Sequence, residues 1–349
     1  MSGLPDLHVN AAGLCCSLGY HLDAAVCALR ANMDHFRESA FYSQGGDPVQ
    51  VASLPEKVYG AQRLQRWVEH AVQDCLSTIA DPAALFDERR SAVVILVADA
   101  QRPSSEGDDP AEAVRAALER LAARYGVDAP APAAYVIRHG RAGLVAGLRQ
   151  ARAALDAGKA QVLLVGVDSL LNAADINFYL QEERLFVPGN TDGFVPGEAA
   201  AALVLGATPA PTGGIRIAGL GSANERGTLD GSVPNRSEGL TAAIREACAE
   251  AQVAPGHLQF RLSDQNGEHF YTRDATNAIT RVMAGTRQPA FLTLADKLGD
   301  IGAATGPAML AWLSRDLHHP QRRPGHAGLL HLANDAGLRN AVVVHAPKE

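Results

Sequence analysis

The sequence predicts an α/β fold assembled from two successive halves, and three observations carry that prediction. Ser91 to Ala98 (SAVVILVA) is an uninterrupted apolar run of strand length, the pattern of a central strand covered on both faces. Ala133 to Ile137, a helical stretch from about Ala142 to Ala157, the Gly158-Lys159 turn and Gln161 to Gly166 make one β-α-β crossover, which lays a helix over a mostly parallel sheet. Beyond the Pro/Gly-rich stretch Pro209 to Gly214, a second strand-and-helix alternation begins. The 349 residues therefore divide into an N-terminal half, 1–210, and a C-terminal half, 211–349, with length enough for a large buried core.

Taken in order, Leu7 to Leu18 has apolar strand character, Gly19 closes it, and Asp23 is placed to cap a helix over Ala24 to Ala31. Asp34 to Leu54 is rich in turn residues, centred on Gly45-Gly46-Asp47-Pro48, and is expected as surface loop. Helical spacing returns over Ala61 to Ile79, where Leu64, Trp67, Val68, Ala71, Val72 and Leu76 form one stripe. An acidic loop, Glu106 to Asp109, leads into an Ala/Arg/Glu-rich helix over Pro110 to Tyr125, followed by a connector over Gly126 to Pro132. In the second alternation we expect a strand over Gly214 to Ser222, a helix over Gly239 to Gln252, a strand over Gln259 to Ser263, a helix over Thr272 to Met283, the Gly-rich turn Leu298 to Gly306 and a strand over Asn340 to His345.

The most informative stretch is Thr191 to Leu205, TDGFVPGEAAAALVL. Asp192-Gly193 and Pro196-Gly197 are turn dipeptides, Ala199 to Ala202 demand close packing by another backbone, and Leu203-Val204-Leu205 has the look of a buried strand. This stretch resembles the signature of the β-ketoacyl synthases of the thiolase superfamily. The resemblance implies a five-layer αβαβα sandwich of two duplicated halves. It also implies a homodimer paired through the edge strand at Ala133 to Ile137, since an unpaired apolar edge is a liability in a monomer.

The same resemblance locates the family's catalytic positions, and each holds a different residue here. The nucleophilic cysteine, which the family places at the N-terminus of a buried helix, falls on Arg141 within Arg138-His139-Gly140-Arg141-Ala142-Gly143. The first histidine falls on Asn266, in SDQNGEHFYTRD beside Glu268, with His269 three residues late. The second falls on Asp300, in Lys297-Leu298-Gly299-Asp300-Ile301-Gly302. Guanidinium stays protonated and cannot attack a thioester, so ordinary condensation is not expected and none of these positions is assigned a catalytic role. An acidic group is instead expected to face Arg138, Arg141 or His139, with Glu268 or Asp300 as the candidates, because a cation at a helix N-terminus opposes the macrodipole.

Composition excludes other classes. Net charge is −7 at pH 7 with no Lys/Arg-rich block, which argues against nucleic acid. Five cysteines without a C-x-x-C pair suggest neither a disulfide framework nor zinc, and His318-His319, His326 and His331 lack metal-ligand spacing. No metal and no cofactor are expected. Without a signal-like N-terminus or a membrane-length apolar run, a cytoplasmic protein with no membrane partner is expected. Three stretches, Asp34 to Pro48, Ser263 to Ala275 and Leu294 to Pro307, are similar to thiolase-like proteins that accompany PAAR effector modules of type VI secretion. That likeness implies an accessory, adaptor or chaperone-like role with a secreted effector or adaptor as partner. Two alternatives stand beside it: an acyltransferase of the β-ketoacyl synthase type using Asp300, Glu268 and His139 as acid or base, and a subunit resembling chain-length factors.

Overall fold

The computed structural model describes residues 6–127, 132, 134–211 and 214–347. Ala133, most of the connector expected at 126–132 and two residues of the Pro/Gly junction lie outside them. Along the chain run β1 (Leu7–Cys16), α1 (Leu22–Arg30), β2 (Phe36–Tyr42), β3 (Pro48–Ala52), α2 (Gly60–Leu76), β4 (Ser91–Leu96), α3 (Pro110–Arg124), β5 (Ala134–Ile137), α4 (Leu144–Asp156), β6 (Gln161–Ser169), α5 (Ala173–Gln181) and β7 (Glu198–Gly206). They are followed by β8 (Ile215–Asn224), α6 (Glu238–Glu250), β9 (Phe260–Ser263), α7 (His269–Val282), β10 (Ala290–Thr293), α8 (Ala295–Leu298), α9 (Thr305–Asp316), β11 (Ala327–Ala333) and β12 (Leu338–His345).

Two sets of five strands share one topology. The first runs β5-β4-β6-β7-β1 and the second β10-β9-β11-β12-β8, so both read 3-2-4-5-1 when the five strands of each set are numbered along the chain. Directions repeat as well: the second strand lies parallel to the third and fourth, and the fifth lies antiparallel to the fourth and first. The sets join where Leu7, His8 and Val9 of β1 meet Ile217, Arg216 and Ile215 of β8.

Strand alternation builds the layers. Val93 and Ile95 of β4, with Leu163 and Val165 of β6, face Trp67 and Val72 of α2 and Leu118 and Leu121 of α3. Their neighbours Val94, Leu96 and Leu164 turn the other way, onto Leu144 and Leu148 of α4 and Met309, Leu310 and Leu313 of α9. Leu262, Leu330 and Val342 of the second set close on those same two helices from the opposite side. Leu329, Ala341 and Val343 cover Ile244 and Ala247 of α6 and Ile279 of α7 on the far face. The result is a thiolase-like αβαβα sandwich whose central helices, α4 and α9, are buried between sheets.

Several local expectations change. His21, not Asp23, caps α1, its Nδ1 accepting from Ala24 N at 3.3 Å. The stretch expected as a surface loop at Asp34 to Leu54 contains the β2–β3 hairpin, with Val49 and Val51 buried against Leu170, Tyr179 and Phe194. α9 follows directly on the Gly-rich turn, and its Pro307 sits in the first turn, where a missing N–H costs no intrahelical bond.

Candidate functional site

The N-termini of α4 and α9 converge at the centre of the molecule. Each is entered through a glycine with positive φ, Gly140 at 51° and Gly302 at 53°, followed by a short 3-10 turn. At Gly302 a side chain is doubly barred, since a Cβ would stand 2.0 Å from Asp168 Oδ2. The first elbow buries Arg141 and the second buries Asp300.

Arg141 Nη1 lies 3.1 Å from Asp300 Oδ2, Nη2 3.6 Å from Asp335 Oδ1 and Nε 4.0 Å from Asp264 Oδ2. Nη1 makes no hydrogen bond of good geometry, so the contact with Asp300 is Coulombic in character. The guanidinium also stacks over Tyr271, 4.5 Å from the ring centre. Burial alone would lower its pKa, but the surrounding carboxylates, Asp300 first, outweigh it and hold the charge firmly. Asp300 is occupied on both oxygens: Oδ1 accepts from Gly302 N at 2.9 Å and Oδ2 from Asn266 Nδ2 at 2.8 Å. Asn266 and Asp300 thus contact each other, and Asn266 Nδ2 also reaches Glu268 Oε2 at 2.9 Å.

Glu268 belongs to a second cation. Arg184 donates to both its oxygens, at 2.7 and 3.1 Å, and to both oxygens of Asp335, at 2.7 and 3.3 Å. Burial pushes the Asp335 carboxyl up, but Arg184, Arg141 and the donated Tyr271 hydroxyl more than offset this and bring it down to about 2. A third guanidinium, Arg102, bridges Asp168 at 2.7 Å and Asp175 at 3.0 Å. Asp168 in turn accepts from Ala303 N at 2.9 Å. Arg102, Arg184 and Asp168 escape a sequence reading because none stands in a recognisable motif position. Asp264 lies in the SDQNGEHFYTRD stretch and Asp335 opens a turn, Asp335 to Ala341, that resembles the family's C-terminal Gly-rich turn, without either being marked as a partner of Arg141. The fold alone brings them to the elbows.

The structure thus brings together Arg141, Asn266, Glu268 and Asp300 and sets apart the other candidates. His139 is exposed, which removes it from the acid–base set considered with Asp300 and Glu268. Arg138 turns outward to Asp109 at 2.7 Å. Lys297 pairs with its neighbour Asp296 at 3.2 Å, and His269 stands on the surface beside Asp192 at 3.3 Å. Among the described residues no cysteine lines the cavity at the elbows.

The stretch Thr191 to Leu205 holds this arrangement by its backbone. Gly197 N donates to Asp300 O at 2.8 Å and Asp300 N to Val195 O at 2.8 Å, and a Cβ on Gly197 would stand 2.4 Å from Leu298 O. The fully buried Glu198 next to it accepts from Arg63 Nε at 2.6 Å and from Leu54 N at 2.9 Å. Gly197 and Glu198 therefore have a structural function that does not depend on a cysteine or histidines.

Asp264 gives the site a pH response. Burial pushes its carboxyl up to about 6, with Arg141 and the Ala333 N–H only partly opposing. The folded protein then keeps a proton that the unfolded chain releases, so this contribution to stability is full below pH 4 and is lost as pH rises through about 6. Its size is about 3 kcal/mol. Urea unfolding between pH 4.5 and 7.5 should show the decline in the wild type and a flatter profile in Asp264→Asn; equal slopes would exclude the assignment.

The elbows open into a cavity of about 250 Å³, with Arg141, Asp168, Asp300 and Phe194 among its deeper walls and Gln101, Phe178 and Asp335 at its exposed rim.

No protein-family model matches the chain, and no curated protein matches it in sequence. Solved structures do match its fold. A chain of the AntDE:AntF complex, a type II PKS acyl-carrier protein with its ketosynthase bound to the hexaketide, superposes with a TM-score of 0.78 at 14% identity over 99% of this chain and 100% of that one. The ketosynthase ApeO in complex with its chain length factor ApeC from Xenorhabdus doucetiae gives 0.75 at 14% identity over 99% of both chains. The ishigamide ketosynthase/chain length factor gives 0.72 at 16% identity, covering 99% and 100%. These likenesses establish the thiolase-like ketosynthase fold.

Proposed function

We propose that this chain is a thiolase-fold protein that performs no acyl condensation and acts by binding a protein partner, with its two halves dividing near residue 210. The observation that carries the reading is Arg141: a permanently charged, buried side chain at the nucleophile position, surrounded by Asp300, Asp264 and Asp335. Asn266 Nδ2 is already spent on Glu268 and Asp300, and Asp300 accepts on both oxygens, so neither side chain has a donor free for an enolate or oxyanion. Support for a protein partner comes from the neighbours above, which are ketosynthases complexed with a chain length factor or acyl-carrier protein. It comes also from β5, which ends its sheet and leaves Tyr135 half exposed. Pairing along that edge would give either a homodimer or a heterodimer resembling the chain-length-factor type.

The finer reading, an accessory or chaperone-like component for loading type VI secretion effectors, draws on the stretches similar to PAAR-associated proteins. Two of these supply Asp264, Asn266, Glu268, Tyr271 and Asp300, so that closer likeness falls on the substituted site itself. Intact-mass spectrometry after incubation with acyl-CoA and acyl-carrier donors is expected to find no adduct, and native copurification to find a stoichiometric protein partner. Acylation of this chain would overturn the non-condensing reading, and a solitary species near 36.7 kDa would overturn the pairing.

A further inference from the structure

The cavity carries more negative than positive charge, and its positive charge is already taken up. Four carboxylates line it (Asp99, Asp168, Asp300, Asp335) against three guanidiniums (Arg102, Arg141, Arg184). Each guanidinium has a further carboxylate behind the wall: Asp175 for Arg102, Asp264 for Arg141 and Glu268 for Arg184. The nearby helix-start amides of Gly302 and Ala303 are consumed by Asp300 and Asp168. All three guanidiniums are sunk, with side chains only 7–14% exposed.

The rim differs from the floor. Asp99, half-buried, is held by neutral donors, Gln101 N at 3.1 Å and Asn334 Nδ2 at 3.2 Å, with no cationic side chain in ion-pair reach among the described residues. Asp335, engaged by Arg184, still has a side chain 47% exposed, and Phe178 on the same rim presents an exposed aromatic side chain with no cation over its ring among the described residues. A rim carboxylate with no cationic partner, beside an aromatic side chain in a recess smaller than an ordinary small-molecule pocket, suits an organic cation.

We propose that the cavity receives an organic cation, an ammonium or guanidinium, between Asp99, Asp335 and Phe178. The group belongs either to a free amine or to a lysine or arginine side chain of a protein partner. The proposal concerns what the recess binds, and it rests on the reading of the site as non-condensing. That reading is decided separately by the acylation experiment, so either can fail alone.

Isothermal titration calorimetry of the full-length protein with spermidine, with the blocked peptide acetyl-Gly-Lys-Gly-amide and with butyrate tests it. Spermidine or the peptide is expected to bind, with affinity falling as salt is raised, and butyrate is not. Tighter binding of the peptide assigns the cation to a partner side chain; tighter binding of spermidine assigns it to a free amine. Asp99→Asn is expected to weaken binding about tenfold, and it should fold because the amide can still accept from Gln101 N. If that variant does not fold, Phe178→Ala provides the same reading with an expected loss of severalfold. Equal binding of butyrate, no binding of either cation, or affinity unchanged in a folded variant would overturn the proposal.

Discussion

Asp300→Ala is expected to cost about 3–5 kcal/mol of folding stability. The substitution removes the carboxylate nearest to Arg141, at 3.1 Å, deprives Gly302 N of its side-chain acceptor and leaves Asn266 Nδ2 with one acceptor, Glu268, in place of two. Arg141 cannot respond by losing its proton. It is only 7% exposed, stacked on the ring of Tyr271, and keeps only the more distant partners Asp335 at 3.6 Å and Asp264 at 4.0 Å. Urea denaturation measures the loss, and a value below about 1 kcal/mol would mean that Arg141 is effectively solvated. The paired variant Arg141→Met/Asp300→Asn should recover much of the deficit, because it removes both charges while leaving an acceptor for the Gly302 amide. A buried ion pair is costly to break and comparatively cheap to replace as a unit.

The fold was more legible in the sequence than the site. Continuous apolar runs such as Ser91 to Ala98 can only be strands covered on both faces, and β4 lies between β5 and β6 with both its faces buried. Short edge elements left a fainter trace: β10 has only four residues, two of them exposed, so no apolar run marks it. Gly-rich turns mark where Arg141 and Asp300 stand in the chain independently of the residue they carry, and the structure brings both together with Asn266. Their pairing was legible in part: of the two carboxylates expected to face Arg138, Arg141 or His139, Asp300 does face Arg141, whereas Glu268 goes to Arg184 and Arg138 turns to the surface at Asp109. Pairings between residues separated by 84 positions, as for Arg184 and Glu268, depend on how two loops meet, which no local pattern encodes.

Arg184 is the side chain whose loss should be felt most widely. Its fork engages Glu268 through two hydrogen bonds and Asp335 through two more, and its plane packs near Tyr179 and Phe194 at 5.1 and 5.8 Å. Arg184→Met keeps the aliphatic bulk but leaves Glu268, buried at 4% exposure, with no cation. That should cost about 3–5 kcal/mol, most of it from Glu268 and a smaller share from Asp335, which is half-exposed and can turn in part to water. Arg184→Lys should rescue little, because a single ammonium cannot span two carboxylates in bidentate geometry. Glu268→Gln should cost less than Arg184→Met, as Arg184 keeps Asp335 and the Gln carbonyl still accepts from Asn266 Nδ2. The low carboxyl pKa of Asp335 adds a pH signature. Its contribution is present above about pH 4 and is lost as pH falls through about 2, so the gap between wild type and Arg184→Met should narrow in acid. Equilibrium unfolding of the three variants at pH 3 and pH 7 decides the matter: a cost in Arg184→Met no larger than in Glu268→Gln would show that Arg184 holds the loops by packing rather than by charge.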